Sequence, residues 1–445
     1  MRNFSVHVCL FVLTLFVAVS TGNTADGDLD PSWGSLGFNW IGASDQIFRA
    51  YGIAVQCDNR VVVSGIVDAS GEQGALGIVR FNTDGSPDTT FGGNSVFTYD
   101  PEYFAESGWD IAIQADQKIV AVGQMVPFMG GWDFVVLRLL SDGSLDPSFS
   151  GTGVASFDFG EASRGHALAI QNDGKIVVVG STISSIAVAR LNTSGSLDTT
   201  FSGDGKATFT APSASDMEGW DVAVQPDGKI VIVGSVVVGG DQEFAVLRLN
   251  SNGSIDTSFH GDGWSIFDFG ADSVGHGVVL QPDGKIVVGG STDASTAMAV
   301  ARLNTNGSLD SGFSGDGKAT FDFSWGVDEG WDVALQGDGK ILIAGSATID
   351  GDHVFAVVRF GTDGSIDSTF GGFGYATARY ARDAFGYALA LQPNDLKILV
   401  AGSTDGATVN QEYMAVTRHI GIEGTIFADG FECGVAGVWS SSVGP

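Results

Sequence analysis

Cysteine is scarce, with Cys9, Cys57 and Cys433 the three in 445 residues. Cys9 falls in an N-terminal apolar run, so at most one disulfide, Cys57 with Cys433, is open to the mature chain, and the fold cannot rest on a disulfide framework. Sequence alone leaves that pairing undecided. Charged residues make up 16% of the chain, against about a quarter in ordinary domains. Basic residues are the rarer kind: 21 Lys and Arg face 52 Asp and Glu, and the net charge of −31 excludes nucleic acid and anionic membrane surfaces as expected partners. After the first 20 residues no apolar run approaches a membrane span, so no transmembrane segment is expected. Helical periodicity long enough for a crossover helix is also missing.

Residues 1–25 read as a secretory signal peptide and the start of the mature chain. Arg2 precedes an apolar run from Val8 to Val19, followed by small and polar residues. Ala18-Val19-Ser20 and Asn23-Thr24-Ala25 both fit a cleavage site. The expected location is therefore outside the cytoplasm: extracellular, cell-surface or periplasmic. Glycine is abundant at 65 residues, while 30 Phe and 9 Trp supply a large core. The chain is folded and rich in turns.

A string such as Gln225-Pro226-Asp227-Gly228-Lys229-Ile230-Val231 returns seven times with small changes. An apolar run ending in Arg also recurs, at Arg80, Arg138, Arg190, Arg248, Arg302, Arg359 and Arg418, spaced by 52 to 59 residues. After each of the first six come a polar turn, an Asp and a Phe. Each unit offers four short strand-like runs, the first two joined by a tight turn whose Gly takes a positive φ. The chain is therefore expected to be all-β, a seven-bladed β-propeller of four-stranded antiparallel blades over residues 26–421, with a C-terminal tail at 422–445. Asp26 to Trp33 matches the turn segment that the seventh unit lacks, and residues 36–41 offer a strand. The N-terminus should thus supply the outer strand of the last blade and remove an open edge. A linear solenoid is the structural alternative.

The same strings, with Leu197-Asp198-Thr199-Thr200-Phe201-Ser202-Gly203-Asp204-Gly205, resemble the delta-60 repeat family of secreted bacterial proteins over about residues 26 to 420. The resemblance implies a propeller-like fold and no defined activity. Units one, two and seven depart from it at Cys57-Asp58-Asn59-Arg60, Ala115-Asp116-Gln117-Lys118 and Asn394-Asp395-Leu396-Lys397. The tail string Ile426 to Glu432 is similar to a short C-terminal signature of exported proteins of Gram-negative bacteria.

The repeated Arg, each upstream of an Asp, reads as a blade-internal ion pair or a carbonyl clamp. The Lys after the hairpin Gly reads as a solvated residue. Together these two positions hold 14 of the 21 basic residues, which leaves no basic patch for an anionic partner. The Asp-Gly-Ser-x-Asp turns resemble calcium loops, yet their first position varies among Asp, Asn and Ser, so turn formation is the simpler reading and no cofactor is expected.

One feature breaks the sevenfold sameness. Units two, four and six begin their first strand with Trp109-Asp110, Trp220-Asp221 and Trp331-Asp332, whereas units one, three, five and seven carry Tyr51, His166, His276 and Tyr387 there. Even units also have longer segments between strands two and three, read as loops over 124–133 and 235–243. If the first strand is innermost, Trp109, Asp110, His166, Trp220, Asp221, His276, Trp331, Asp332 and Tyr387 ring one mouth of a channel and could hold a carbohydrate or a peptide by stacking and hydrogen bonding. The alternative is packing between blades, with each Asp tied to a neighbouring amide. Zinc spacing, a nucleophile elbow and a P-loop are all missing, so no catalytic or metal residue is assigned. An enzymatic reading would use Asp110, Asp221 and Asp332 as acid and base, but their sameness opposes it. The leading expectation is an exported binding or surface-interaction module, with a carbohydrate-active enzyme or a structural envelope protein as rivals.

Overall fold

The computed structural model describes residues 26–421, apart from 43–46, 69–73, 101–103, 127–130, 271, 293–295, 325, 381, 394–396 and 406–411. Of residues 104–106 only the backbone is described. The expected signal peptide, the tail and Cys433 lie outside the described residues; Cys57 is disulfide-bonded. Among the described residues all regular structure is strand, β1 to β28, running from Phe38–Ile41 (β1) to Glu412–His419 (β28). None of them forms a helix long and apolar enough to cross a membrane.

Five antiparallel sheets each hold four consecutive strands in chain order, over residues 104–157, 164–209, 215–267, 273–321 and 328–378. A sixth sheet has eight strands. Four of them are β2 (Ile47–Val55), β3 (Val61–Asp68), β4 (Ala75–Phe81) and β5 (Val96–Tyr99); the others are β26 (Ala384–Leu391), β27 (Ile398–Asp405), β28 and β1. A single parallel bridge between Ile47 and Glu412 joins these two antiparallel quartets. The N-terminal strand expected from the sequence forms, with Phe38 opposite Thr417 and Ile41 opposite Met414.

The second and third strands of each unit are almost continuous apolar runs, because both of their faces are covered by neighbouring sheets. Val61, Val62 and Val63 are fully buried, as are Ile230 to Val233. Seven hydrophobic clusters fill the spaces between successive units: one packs Val177 and Val188 against Ile232 and Leu247. Another joins the last unit to the first through Phe48 and Val63 with Leu399 and Val416.

A second set of contacts repeats around the outer turns. Each landmark Arg is paired with the Asp eight residues on, at 2.7–2.8 Å from Arg80–Asp88 to Arg359–Asp367. Arg418 takes Asp30 from the N-terminus at 2.8 Å. The guanidinium also reaches the next unit's turn, as in Arg138 to the Thr193 carbonyl at 2.6 Å, and lies over a Phe, as in Arg248 over Phe259 at 4.5 Å. Ion pair and carbonyl clamp are thus both present. In unit seven Trp33 replaces the Phe under Arg418.

The turn glycine of the next unit sits on the same aromatic ring. A Cβ added at Gly253 would lie 2.8 Å from Phe201, one at Gly85 2.8 Å from Trp33, and one at Gly27 3.1 Å from Phe370. The hairpin lysines are not simply solvated, in correction of the sequence reading. Lys175, Lys229 and Lys340 each reach the paired Asp, at 3.2, 3.1 and 2.9 Å. Burial opposes the charge of Asp146, but the Ser148 hydroxyl and amide, with Arg138 and Lys118, bring its carboxyl down to about 2.

Two further details depart from the sequence reading. The segment read as a loop over 235–243 is strand to within two residues, with Val238 opposite Asp241 across Gly239-Gly240, both at positive φ. A two-residue turn of that hand fits strand twist, so the hairpin lengthens instead of opening. The hairpins of units one and two keep the common turn although they lack the glycine. Asn59 and Gln117 adopt φ of 65° and 67°, and their amides donate to Gln56 and Gln114 at 2.8 Å as Gly228 does to Gln225.

Candidate functional site

Each first strand carries a β-bulge at its aromatic residue. Gly108 faces Gly123 and Asp110 faces Val122, so Trp109 is the extra residue. The same slip falls at Tyr51, His166, Trp220, His276, Trp331 and Tyr387. A bulge re-aims side chains that a regular strand would send to opposite faces. The opposing second strand must then carry glycine. A Cβ at Gly123 would sit 1.9 Å from the Ser107 carbonyl oxygen, and one at Gly345 1.7 Å from that of Glu329. These glycines were missed from sequence, although Gly180, Gly234, Gly290, Gly345 and Gly402 each follow an apolar run and precede Ser.

The bulges bring all seven aromatics into mutual contact. Tyr51 stacks on Trp109 (centroids 4.6 Å apart), His166 on Trp220 (4.5 Å) and His276 on Trp331 (4.1 Å). Edge contacts link the pairs, Trp109 to His166 at 5.3 Å and Trp220 to His276 at 5.5 Å. Tyr387 touches Trp331 at 5.4 Å and Tyr51 at 5.3 Å, so the chain of contacts returns to its start. The two-unit period is thus a stacking period: each even-unit Trp carries the ring of the odd unit before it, and Tyr387 is left single. Apart from the buried His166, these rings stay partly exposed.

The polar residues alternate with the same period. Asp110 accepts hydrogen bonds from its neighbour Ile111 and from Leu168 of the next unit, at 2.7 and 2.9 Å. Asp221 does so from Val222 and Val278, and Asp332 from Val333 and Leu389, all at 2.7 Å. The reverse links come from the histidines, with Nδ1 of His166 at 2.9 Å from the Gly219 carbonyl and that of His276 at 2.8 Å from Gly330. Burial lowers both imidazoles to about 4, so they are neutral and Nδ1–H donates.

The three carboxylates lie among the partly buried residues of the inner strands. Burial raises Asp110 to about 6 and Asp332 to about 7, and burial with repulsion from Asp332 and Asp110 lifts Asp221 well above its ordinary value. Both oxygens of each Asp are spent on backbone amides, which makes them ties between units rather than an acid and a base in different settings. Among the described residues no group of His, Cys, Asp and Glu side chains could hold a metal ion. The turn residues resembling calcium ligands are engaged locally, as Asp84 is with the Ser86 amide and hydroxyl.

Between units seven and one no Asp or His tie of this kind is found among the described residues. There the Arg49 guanidinium forms a two-pronged ion pair with Glu412, Nη2 to Oε1 at 2.6 Å. Two residues before each aromatic, the rim is uneven. It carries Arg49 in unit one, Arg164 in unit three, Glu218 in unit four and Glu329 in unit six. The indole N–H of Trp331 donates to Glu329 at 3.3 Å, while those of Trp109 and Trp220 are buried without a partner.

Comparison with known proteins agrees on the repeat. The family described as a domain of unknown function (DUF5122), beta-propeller, matches residues 56–91, 114–149, 171–201, 225–259, 281–313 and 336–370. No curated protein matches the chain. Among solved structures, a protein of unknown function from Dyadobacter fermentans is 10% identical with a TM-score of 0.43, covering 86% of this chain and 99% of that one. Sqt1 from Chaetomium thermophilum is 11% identical with a TM-score of 0.46, covering 84% and 95%. The polysaccharide lyase Uly1 is 10% identical with a TM-score of 0.41, covering 83% and 90%. Likenesses this remote identify neither a ligand nor a reaction. The repeats do place the chain's architecture: six of its units are repeats of the DUF5122 β-propeller type, the type that its delta-60-like strings pointed to.

Proposed function

We propose that the chain is a closed seven-bladed propeller serving outside the cytoplasm as a binding module, with the aromatic floor formed by the bulges of the inner strands as its contact surface. Three cyclic sets of contacts support seven blades: the interblade clusters, the turn glycines on aromatic rings, and the ring of seven inner aromatics. The eight-stranded sheet divides naturally into two blades at its single parallel bridge. Export rests on the leader-like residues 1–25.

The observation that carries the binding reading is the partial exposure of six of the seven floor aromatics. Packing between blades does not require that partial exposure, and partly exposed Trp and Tyr rings offer a carbohydrate or peptide ligand a surface to stack on. A titration of the exported protein with glycans and peptides, followed by indole fluorescence, tests this. Saturable quenching that is lost in Trp220→Ala while the fold persists supports the site. Silence across the panel, or a collapse of stability in Trp109→Ala, Trp220→Ala and Trp331→Ala alike, removes it.

A further inference from the structure

We infer that the ligand taken on this floor carries a cationic amine, seated over the aromatic faces on the side of units four to six; the inference rests on the binding reading above. The four charged rim positions are not equivalent. Arg49 is committed to Glu412, and Arg164 lies over the Trp132 ring at 5.6 Å and forms no ion pair with Glu218 among the described residues. The carboxylates are less committed. Glu329 accepts one indole N–H, and among the described residues no hydrogen bond or ion pair reaches the Glu218 side chain. Glu218 faces Ser235 across its strand pair as Glu329 faces Ser346, so the two carboxylates hold the same position beside Trp220 and Trp331.

Burial raises the Glu218 carboxyl, with Arg164 opposing and Asp216 adding to the rise. A half-buried carboxylate without a partner is costly, and a cation would relieve that cost. Trp and Tyr faces attract the same kind of ligand through their quadrupole, and the attraction grows where water is excluded. The long-range field points the same way. The net charge is −31, and most of the basic residues are held in the hairpin and turn network of the blades, so a cation is drawn in and an anion is repelled. A neutral sugar would use the rings but would leave Glu218 with only the Arg164 charge, which makes no ion pair with it among the described residues, to offset its burial.

The test uses two cation and isostere pairs on the full-length protein, read by indole fluorescence at low salt. The pairs are choline against 3,3-dimethylbutan-1-ol, and Nα-acetyl-lysine amide against its Nε-acetylated form. The expected result is saturable quenching by at least one cation, at least tenfold weaker for its neutral partner. Affinity should fall fivefold or more in Glu218→Gln and further in the double variant Glu218→Gln, Glu329→Gln. Equal response to cation and isostere overturns the inference, as does cation binding unchanged in the double variant. Binding of a neutral glycan or peptide with no response to either cation also overturns it, while leaving the floor as a binding site. Silence toward every ligand overturns both readings. The rim variants alter exposed or half-buried positions, and their thermal transitions serve as the folding control.

Discussion

The outer turns and the bulged inner strands of this protein are built from the same seven repeats, yet they obey different rules. At the outer turns every unit repeats one arrangement: an Arg between an Asp and an aromatic ring, a Lys (Arg60 in unit one) on the same Asp, and a glycine of the next unit on the ring. Even the seventh unit, assembled from both ends of the chain, keeps it by recruiting Asp30 and Trp33. At the inner strands the backbone bulge is invariant, but the side chains alternate between Trp-Asp and His or Tyr. Uniformity belongs where each unit must hold the next. Variation is found where the units converge and where their side chains remain partly exposed.

The comparison is broken most severely at the seventh unit. Deleting residues 26–41 removes Asp30 from the buried Arg418, Trp33 from the core and β1 from the edge of β28. Leaving a buried charge unpaired costs about 3–5 kcal/mol by itself, and the bared edge recruits other chains. The expected outcome is loss of a cooperative thermal transition with aggregation on size exclusion. A deletion variant as stable and monodisperse as the parent would show that the N-terminus is an accessory.

A paired substitution sharpens the same contrast. Phe201 is fully buried in the outer network, so Phe201→Ala should cost about 3–5 kcal/mol in denaturant unfolding. Trp220 touches four other rings but is partly exposed and so loses less burial on truncation, and Trp220→Ala should cost less, about 1–3 kcal/mol. Equal costs would mean that the inner ring is as structural as the outer one.

The two regions should also titrate in opposite directions. The outer carboxylates, such as Asp146 at about 2, lie below the unfolded value, so their contribution is present above about pH 4 and is lost as the pH falls toward 2. The inner carboxylates, such as Asp332 at about 7, lie above it. They favour the fold when protonated, and that contribution is lost as the pH rises from about 4 through 7. The midpoint of thermal unfolding should therefore peak on the acid side of neutrality and decline toward pH 8. The decline should be shallower in Asp332→Asn, and an unchanged slope would show that this carboxyl is ionised throughout. The smallest effect is expected at the first hairpin, where Asn59→Gly places the residue suited to a φ of 65°. It should change stability by less than about 1 kcal/mol, measured by the same unfolding.

Much of the framework could be read from the chain in advance, since the hairpin turn and the Arg–Asp–Phe spacing are local signals repeated many times. The strand at 38–41, its place against β28 and the partner for Arg418 followed from asking which piece the seventh unit lacked. The nine residues singled out at the inner strands were legible only as an alternation. Nothing in Trp220 and His276 taken singly shows that one donates a ring to a stack while the other ties down a carbonyl. The bulge was hidden because its signal is a glycine on the opposing strand, distant from the aromatic it re-aims. The role of the hairpin lysines was misread because their Asp partners lie more than twenty residues further on, outside any local window.

What the sequence by itself determined is the local grammar: strands from β-branched runs, turns from Gly, Asn and Asp at positive φ, and a repeat whose missing piece at one end is present at the other. These are short-range consequences of backbone sterics and apolar patterning. Tertiary structure alone decided that seven bulges aim seven aromatics at one another. It decided that burial raises the proton affinity of Asp110, Asp221 and Asp332, with repulsion between carboxylates adding to the rise at Asp221 and Asp332. It also left Glu218 half-buried, with no hydrogen bond or ion pair to its side chain among the described residues. Those properties depend on distances between residues more than fifty positions apart, and such distances are set by how the blades pack.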